Sequence, residues 1–328
     1  MKSDSRDIDR DGYAVAIVVL VLALVAISAT SLTQLMRTEA LATSNSVQMR
    51  QAEALADAAW RRGLHALVNP QQPDDWKRDG SPYYFDFAGA QLAFAIEDES
   101  GKIDLNPEDD VLLRGLLEQA AAQIDGLSSA RLADLIGDWR DPDELVRLSG
   151  AERDQYFDAG ADYGPPNRGF RAIGELHQLL DVDPALYAWL APNVTVYNAA
   201  GRIDPKVAPA KVLQAVPGIT SNQAESYVDE RNARRFANPA SDPVPPTGEG
   251  EWLGAGEKRI FTIYGGALLQ SGVAAARRVV IWLPDPSDDN DGDAGVSALY
   301  RILEFDADAP PDRFFSRDGE SDGGSEQP

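Results

Sequence analysis

The chain has 328 residues, 44% of them hydrophobic and 25% charged, enough apolar content for a real core. Fifty-three acidic against 30 basic side chains leave a formal net charge of −23, a surface that repels phosphate backbones. There is no cysteine and there are only two histidines, His65 and His177, which excludes disulfides, thiolate catalysis, Cys-type metal centres and multi-histidine sites.

The first element is a leader, residues 1–12, in which Lys2, Arg6 and Arg10 are outnumbered by Asp4, Asp7, Asp9 and Asp11. From Gly12 to Met36 no residue is charged. A bilayer-spanning helix needs about 20 apolar residues, and 13–35 supply them. A cleaved secretory signal would have a shorter apolar run and a small-residue cleavage site. Here a charged leader ends in Gly12, an aromatic Tyr13 follows, and the apolar run starts at once. This order resembles a type IV prepilin-like N-terminus, which implies cleavage after Gly12 and methylation of the new amine on Tyr13. Most pilin-like subunits carry Glu at the fifth mature position; here that position is Ile17.

Residues 36–68 contain no proline, and Met36, Ala40, Leu41, Val47, Ala52, Leu55, Ala59 and Leu64 recur at helical spacing. One nearly continuous helix from 14 to 68 is expected, ended by Asn69-Pro70. Tyr83–Phe87 and Gln91–Ile96 flank Ala88-Gly89-Ala90 and predict a β-hairpin, with residues 97–101 as a turn. From 102 to 237 the spacing predicts helices over 111–124, 130–139, 151–157, 174–180, 184–190, 208–216 and 221–231. Leu176, Leu179 and Val182 align with Leu213, Val216 and Ile219 at an offset of 37, which suggests paired helical hairpins. Residues 238–254 are a Pro-rich linker or loop. Strands return over 260–264, 275–283 and 298–305, so the second sheet-bearing segment is 255–306. The acidic, Gly- and Pro-rich stretch 307–328 is expected to be a disordered tail.

Two strand groups, each too small alone, imply one sheet interrupted by an insertion. The expected class is α+β: a long N-terminal transmembrane helix packed on an antiparallel sheet (36–101 with 255–306), with a large all-α insertion of helical hairpins, SAM- or helix-hairpin-helix-like.

The ordered motifs carry a resemblance. Gly101-Lys-Ile-Asp-Leu-Asn106, Asp138-Trp139-x-Asp141-x-Asp143, Gly150-Ala-Glu152 through Tyr156, Pro166-Asn167-Arg168, Glu175-Leu176 and Val216-Pro217-Gly218 occur in sequence. With the prepilin-like start and Ile17, the chain resembles the K-subunit minor pseudopilins of the type II (general) secretion pathway. That resemblance implies a single-pass bacterial inner-membrane protein with a periplasmic body. It implies processing by the prepilin peptidase and assembly with I- and J-type minor pseudopilins. It also implies a place at the pseudopilus tip, a role in starting assembly, and contact with exported substrate and the outer-membrane secretin. A departure stands at Arg202-Ile-Asp204-Pro205-Lys206.

No Gly-x-Ser-x-Gly, Walker A or His-Glu-x-x-His motif is present, so no enzyme is expected. Asp285, Asp288, Asp289, Asp291 and Asp293 crowd one loop between strands and resemble a calcium loop, although the twelfth position is Ala298 where an EF-hand needs Glu. The family resemblance likewise implies calcium. The hairpin around Gly218, with Lys206, Lys211, Arg231, Arg234 and Arg235 nearby, offers an alternative: an envelope DNA-binding or DNA-uptake protein. The net charge favours a purely structural hairpin and no nucleic acid. His177 is expected to be a packed or surface histidine, and Trp60 and Trp139 core or interface anchors.

Overall fold

A computed structural model describes residues 7–69, 76–199, 201–234, 243–255, 259–284 and 300–315. The N-terminal helix α1 spans Asp7–Val68, which is about 93 Å at 1.5 Å per residue. Its backbone passes without a break through Gly12 and Tyr13, so the second half of the leader is already helical. From Tyr13 to Leu41 the apolar side chains whose surroundings are described are exposed. Beyond that the helix turns one stripe inward: Ala52, Leu55, Ala56, Ala59, Trp60, Leu64 and Leu67, at steps of three and four, are buried.

That stripe lies on a five-stranded sheet of order β1-β2-β5-β6-β7: β1 (Asp79–Phe87), β2 (Ala90–Asp98), β5 (Ile260–Leu269), β6 (Ala274–Trp282) and β7 (Arg301–Asp306). Every pair is antiparallel. The β1–β2 turn places Ala88 and Gly89 at φ 52° and 77°, the double positive φ of a tight hairpin whose twist matches its strands. Strand β5 is central and mostly buried. It approaches α1 so closely that a Cβ on Gly265 would stand 2.4 Å from Trp60 N and 2.5 Å from Ala56 O. Gly265→Val is therefore expected to force helix and sheet apart and cost about 3 kcal/mol in guanidinium unfolding. An unchanged midpoint would show that the contact is not tight.

Between β2 and β5 the chain leaves the sheet and returns to the neighbouring position, Asp98 pairing with Phe261. The excursion holds α2 (Val111–Gln123), α3 (Ser129–Arg140), α4 (Arg153–Asp158), α5 (Pro184–Leu190), α6 (Ala210–Gln214) and α7 (Ser221–Arg234). Ser128 caps α3 by accepting from Arg131 N. Asp183 caps α5, with Pro184 in its first turn. Residues Ile173–Gln178 form a 3-10 helix where an α-helix over 174–180 is expected. The excursion has its own core around Leu116, Trp139, Tyr156, Leu190 and Leu213. Leu176 and Leu179 belong to that core, as do Leu213, Val216 and Ile219, and Val182 is partly buried against it.

Two features depart from the sequence expectation. Residues 102–237 are not wholly helical: β3 (Ile103–Asp104) and β4 (Val194–Thr195) form a short parallel ladder inside the insertion. Nor is the stretch after residue 306 all loose. Pro311–Arg313 form a 3-10 turn, and Phe314 packs on Ala93 and Ala95 on the sheet. A Cβ on Gly266 would stand 2.4 Å from the Phe314 ring, so the strand residue makes room for this cover. Within the acidic stretch 307–328 stand two adjacent aromatics, of which Phe314 is buried and Phe315 half-buried against the sheet face.

Candidate functional site

Three places carry chemistry. The first is the stem. Its apolar stretch has a mean hydropathy of 2.8 in an 18-residue window, none of it buried by the rest of the protein. Ile17 is 61% exposed, and Tyr13 is exposed at the head of the run. The polar side chains within the stretch satisfy themselves. The hydroxyls of Ser28, Thr30 and Thr33 donate to the carbonyls of Leu24, Ala26 and Ala29, at 2.9, 3.1 and 2.8 Å. Thr38 does the same to Gln34. Such internal pairing is what a hydrocarbon environment demands of a hydroxyl.

The second place is the joint between sheet and insertion. Lys102, buried, donates to Glu97 Oε2 at 2.7 Å and Glu99 Oε1 at 2.8 Å. Glu99 also accepts from Thr262 Oγ1 on β5 and from Thr195 Oγ1 on β4, both at 2.6 Å. Arg313, from the segment folded over the sheet, pairs with Glu97 and lies over the Tyr264 ring. Burial pushes the Glu97 carboxyl up, but the charges of Lys102 and Arg313 outweigh it and hold the group down at about 2. The same two glutamates raise Lys102 against its own burial. Nearby, Arg278 on β6 donates to Glu304 on β7 at 2.6 Å, and Glu304 accepts from Tyr197 of the insertion at 3.2 Å. Asn198 Nδ2 donates to Lys102 O at 3.1 Å and Arg202 O at 2.7 Å. Sheet, insertion and C-terminal segment thus meet on one buried polar hub. The sequence reading missed it because Glu97–Gly101 looks like an ordinary charged turn.

The third place is the polar clamp system of the insertion, and it is where the ordered motifs fall. Asn106 Oδ1 accepts from Phe170 N at 2.7 Å while its Nδ2 donates to Phe170 O at 3.0 Å. Glu175 accepts from Arg171 N, Arg168 and the Trp139 indole. Asp138 is fully buried and accepts from Arg147 N, with Arg147 Nε at 3.1 Å. Trp139 stacks on Phe170 and tilts against Tyr156. Trp60 and Trp139 are buried, and His177, exposed, stacks on Tyr187 at 3.7 Å.

The hairpin near Gly218 is less suited to phosphate than its sequence suggests. Arg231 is buried and donates to Pro205 O and Ala208 O. The Lys211 ammonium lies 4.5 Å from the Trp189 ring. Glu249 sits over the turn, its N donating to Pro217 O at 2.7 Å and its Cγ 3.0 Å from where a Gly218 Cβ would be. A carboxylate there opposes an anionic ligand. Arg235 and the Arg234 side chain lie outside the described residues. So do Asp285, Asp288, Asp289, Asp291 and Asp293 of the acidic loop. Among the described residues no group of three or more His, Asp or Glu is arranged to hold a metal ion.

An apolar stem, a sheet packed on the inner half of that stem and a helical lobe inserted between adjacent strands define a membrane-anchored subunit of the pilin-like class. Residues 93–199 match the family described as type II secretion system (T2SS), protein K. The type II secretion system protein K of Pseudomonas aeruginosa is 30% identical over 256 residues, covering 69% of this chain and 74% of that protein. The fold is similar to the GspK-GspI-GspJ complex from the enterotoxigenic Escherichia coli type 2 secretion system. That match has a TM-score of 0.56 and 15% identity, covering 82% of this chain and 99% of the matched chain. The chain belongs to the protein K family of the type II secretion system, and the α+β expectation holds.

Proposed function

We propose that this chain is the subunit that caps a short periplasmic filament and starts its assembly with I- and J-type minor pseudopilins, without turning over a substrate. The stem anchors it in the inner membrane with the body in the periplasm. Prepilin peptidase removes residues 1–12 and leaves Tyr13 as the methylated N-terminus. The observation that carries this reading is Ile17, an exposed apolar side chain where filament subunits hold an acid. A carboxylate deep in an apolar bundle costs about 2.5–3.5 kcal/mol unless it meets a partner such as a terminal amine above it. A subunit without that acid has no such demand, and the end position suits it. The lobe between β2 and β5 adds bulk that also suits an end better than a filament interior. Contact of that lobe with exported protein or the secretin, and calcium binding, belong to the same reading.

Mass spectrometry of the native N-terminus tests it. The expected species begins at methylated Tyr13. Retained Met1, or cleavage near Thr30, rejects it. Ile17→Glu is expected to raise the number of copies per filament and to lower export severalfold. Export and stoichiometry both unchanged would remove the cap model.

A further inference from the structure

The segment after β7 lies on the face of the sheet turned away from α1, because side chains alternate along β5 and Gly265 faces the helix while Gly266 faces the segment. Cross-strand register sets Tyr84, Ala93, Gly266 and Ala276 side by side on four adjacent strands, an aromatic followed by three of the smallest residues. Phe314 sits in the depression they leave, and a Cβ on Gly266 would meet both the Phe314 and the Phe315 rings. Gly80, at φ 85°, makes the same room for Arg313: its carbonyl accepts from the guanidinium at 3.3 Å, and a Cβ there would stand 2.9 Å from it. Glycine weakens a strand, so its presence on two strands under two successive contacts marks a close approach. Yet the segment adds no strand to the sheet. Phe314 N and Phe315 N donate to Pro311 O inside their own turn, and the Tyr84 hydroxyl donates to Phe314 O at 3.2 Å. Lifting the segment therefore breaks no ladder hydrogen bond. It exposes two rings and parts Arg313 from Glu97, the kind of local opening that leaves the rest folded.

The opening reaches the lobe through a lysine on the far side of Glu97. Lys102 is shared by Glu97 at 2.7 Å and Glu99 at 2.8 Å, and Glu99 accepts from Thr195 of the lobe at 2.6 Å. With the segment closed, Arg313 supplies part of the charge that Glu97 needs, and Lys102 serves Glu99 as well. With it open, Glu97 has Lys102 alone and draws on it, so the buried Glu99 is less compensated beside its lobe contact. We propose that residues 307–315 form a latch, and that its closure on the sheet and the docking of the lobe are coupled through Glu97, Lys102 and Glu99. The two sites are the Gly266 depression and the Thr195 contact, and the two states are latch closed with lobe held and latch open with lobe loosened. Such coupling is reciprocal: loosening the lobe at the hub opens the latch, and opening the latch loosens the lobe. The latch rests on neither tip placement nor processing at Gly12.

The test uses the full chain in mild detergent and reads both ends of the coupling. Trypsin can cut after Arg313 only when the bond to the buried Phe314 lifts off the sheet, so at low protease the initial rate of that cut, followed by mass spectrometry, reports the open population. Hydrogen exchange at Ile103 N and Leu105 N, which donate to Asn193 O and Thr195 O, reports the lobe joint. On the latch side, Gly266→Ala puts a Cβ against the Phe314 ring. It is expected to speed the cut by about 10-fold or more and exchange at the joint by about 5-fold. On the lobe side, Thr195→Val removes a hydroxyl from Glu99 without touching the latch. It is expected to speed the cut after Arg313 by about 5-fold or more, and Thr195→Ser, which keeps the hydroxyl, to restore the wild-type rate. Leu132→Ala, in the lobe core on α3, is expected to leave the cut within about twofold of wild type, because it perturbs the lobe outside the hub. If Thr195→Val does not fold, Gly266→Ala reads the same coupling from the other end. Exchange at the joint unmoved by Gly266→Ala, a cut equally fast in Thr195→Val and Thr195→Ser, or one opened as far by Leu132→Ala as by Thr195→Val would overturn the proposal.

Discussion

Lys102→Met is expected to destabilise the protein by about 3–5 kcal/mol and to loosen the insertion from the sheet. The lysine is the cation that Glu97 and Glu99 share, at 2.7 and 2.8 Å, with all three side chains nearly inaccessible. Removing it leaves Glu99 with two hydroxyl donors and no charge partner, and Glu97 with Arg313 alone. An uncompensated buried carboxylate is costly because the interior cannot solvate it. Guanidinium unfolding should show the loss as a lower midpoint at similar slope. Combining Lys102→Met with Glu97→Gln and Glu99→Gln should recover most of it, since removing all the charges also removes the desolvation problem. A single-variant loss below about 1 kcal/mol would mean that the hub is hydrated and not a lock.

The same hub makes a pH-dependence measurable. Glu97 titrates at about 2 in the folded protein, below its ordinary 4.5, because Lys102 and Arg313 favour its charged form more strongly than burial opposes it. A depressed carboxylate adds stability that is fully present above its unfolded value and is lost as pH falls through the folded one. The window is therefore from about pH 5 down to about 2, and the contribution is on the order of 3 kcal/mol. Wild-type unfolding free energy should fall steeply there. Glu97→Gln should start lower and fall less over the same interval. Equal slopes for the two proteins would assign the acid sensitivity to other carboxylates.

Both expectations rest on contacts that no local pattern announces. Lys102 reads as a solvated charge beside a glycine, and its role depends on β5 bringing Thr262 alongside. The turn residues Glu97 and Glu99 are buried only because the insertion closes over them. Gly265 reads as a strand weakness until α1 is laid on it. The acidic loop, by contrast, drew attention through composition alone, and crowded acids in sequence are most often a solvated run.

What the chain dictates locally, it dictates through composition and period. The uncharged run from Gly12 to Met36 makes a stem whatever follows, because no aqueous fold can hide it. Alternating aromatics with Ala88-Gly89 make a hairpin, and three- and four-residue apolar steps make the helices of the insertion. Those signals depend on neighbours within a few residues. The pairing of Asp98 with Phe261, the ladder of Ile103 with Val194 and the return of Phe314 to Ala93 and Ala95 depend on residues far apart in the chain. Their partners are selected by which surfaces remain unburied after the local elements form, and that selection exists only in the folded whole.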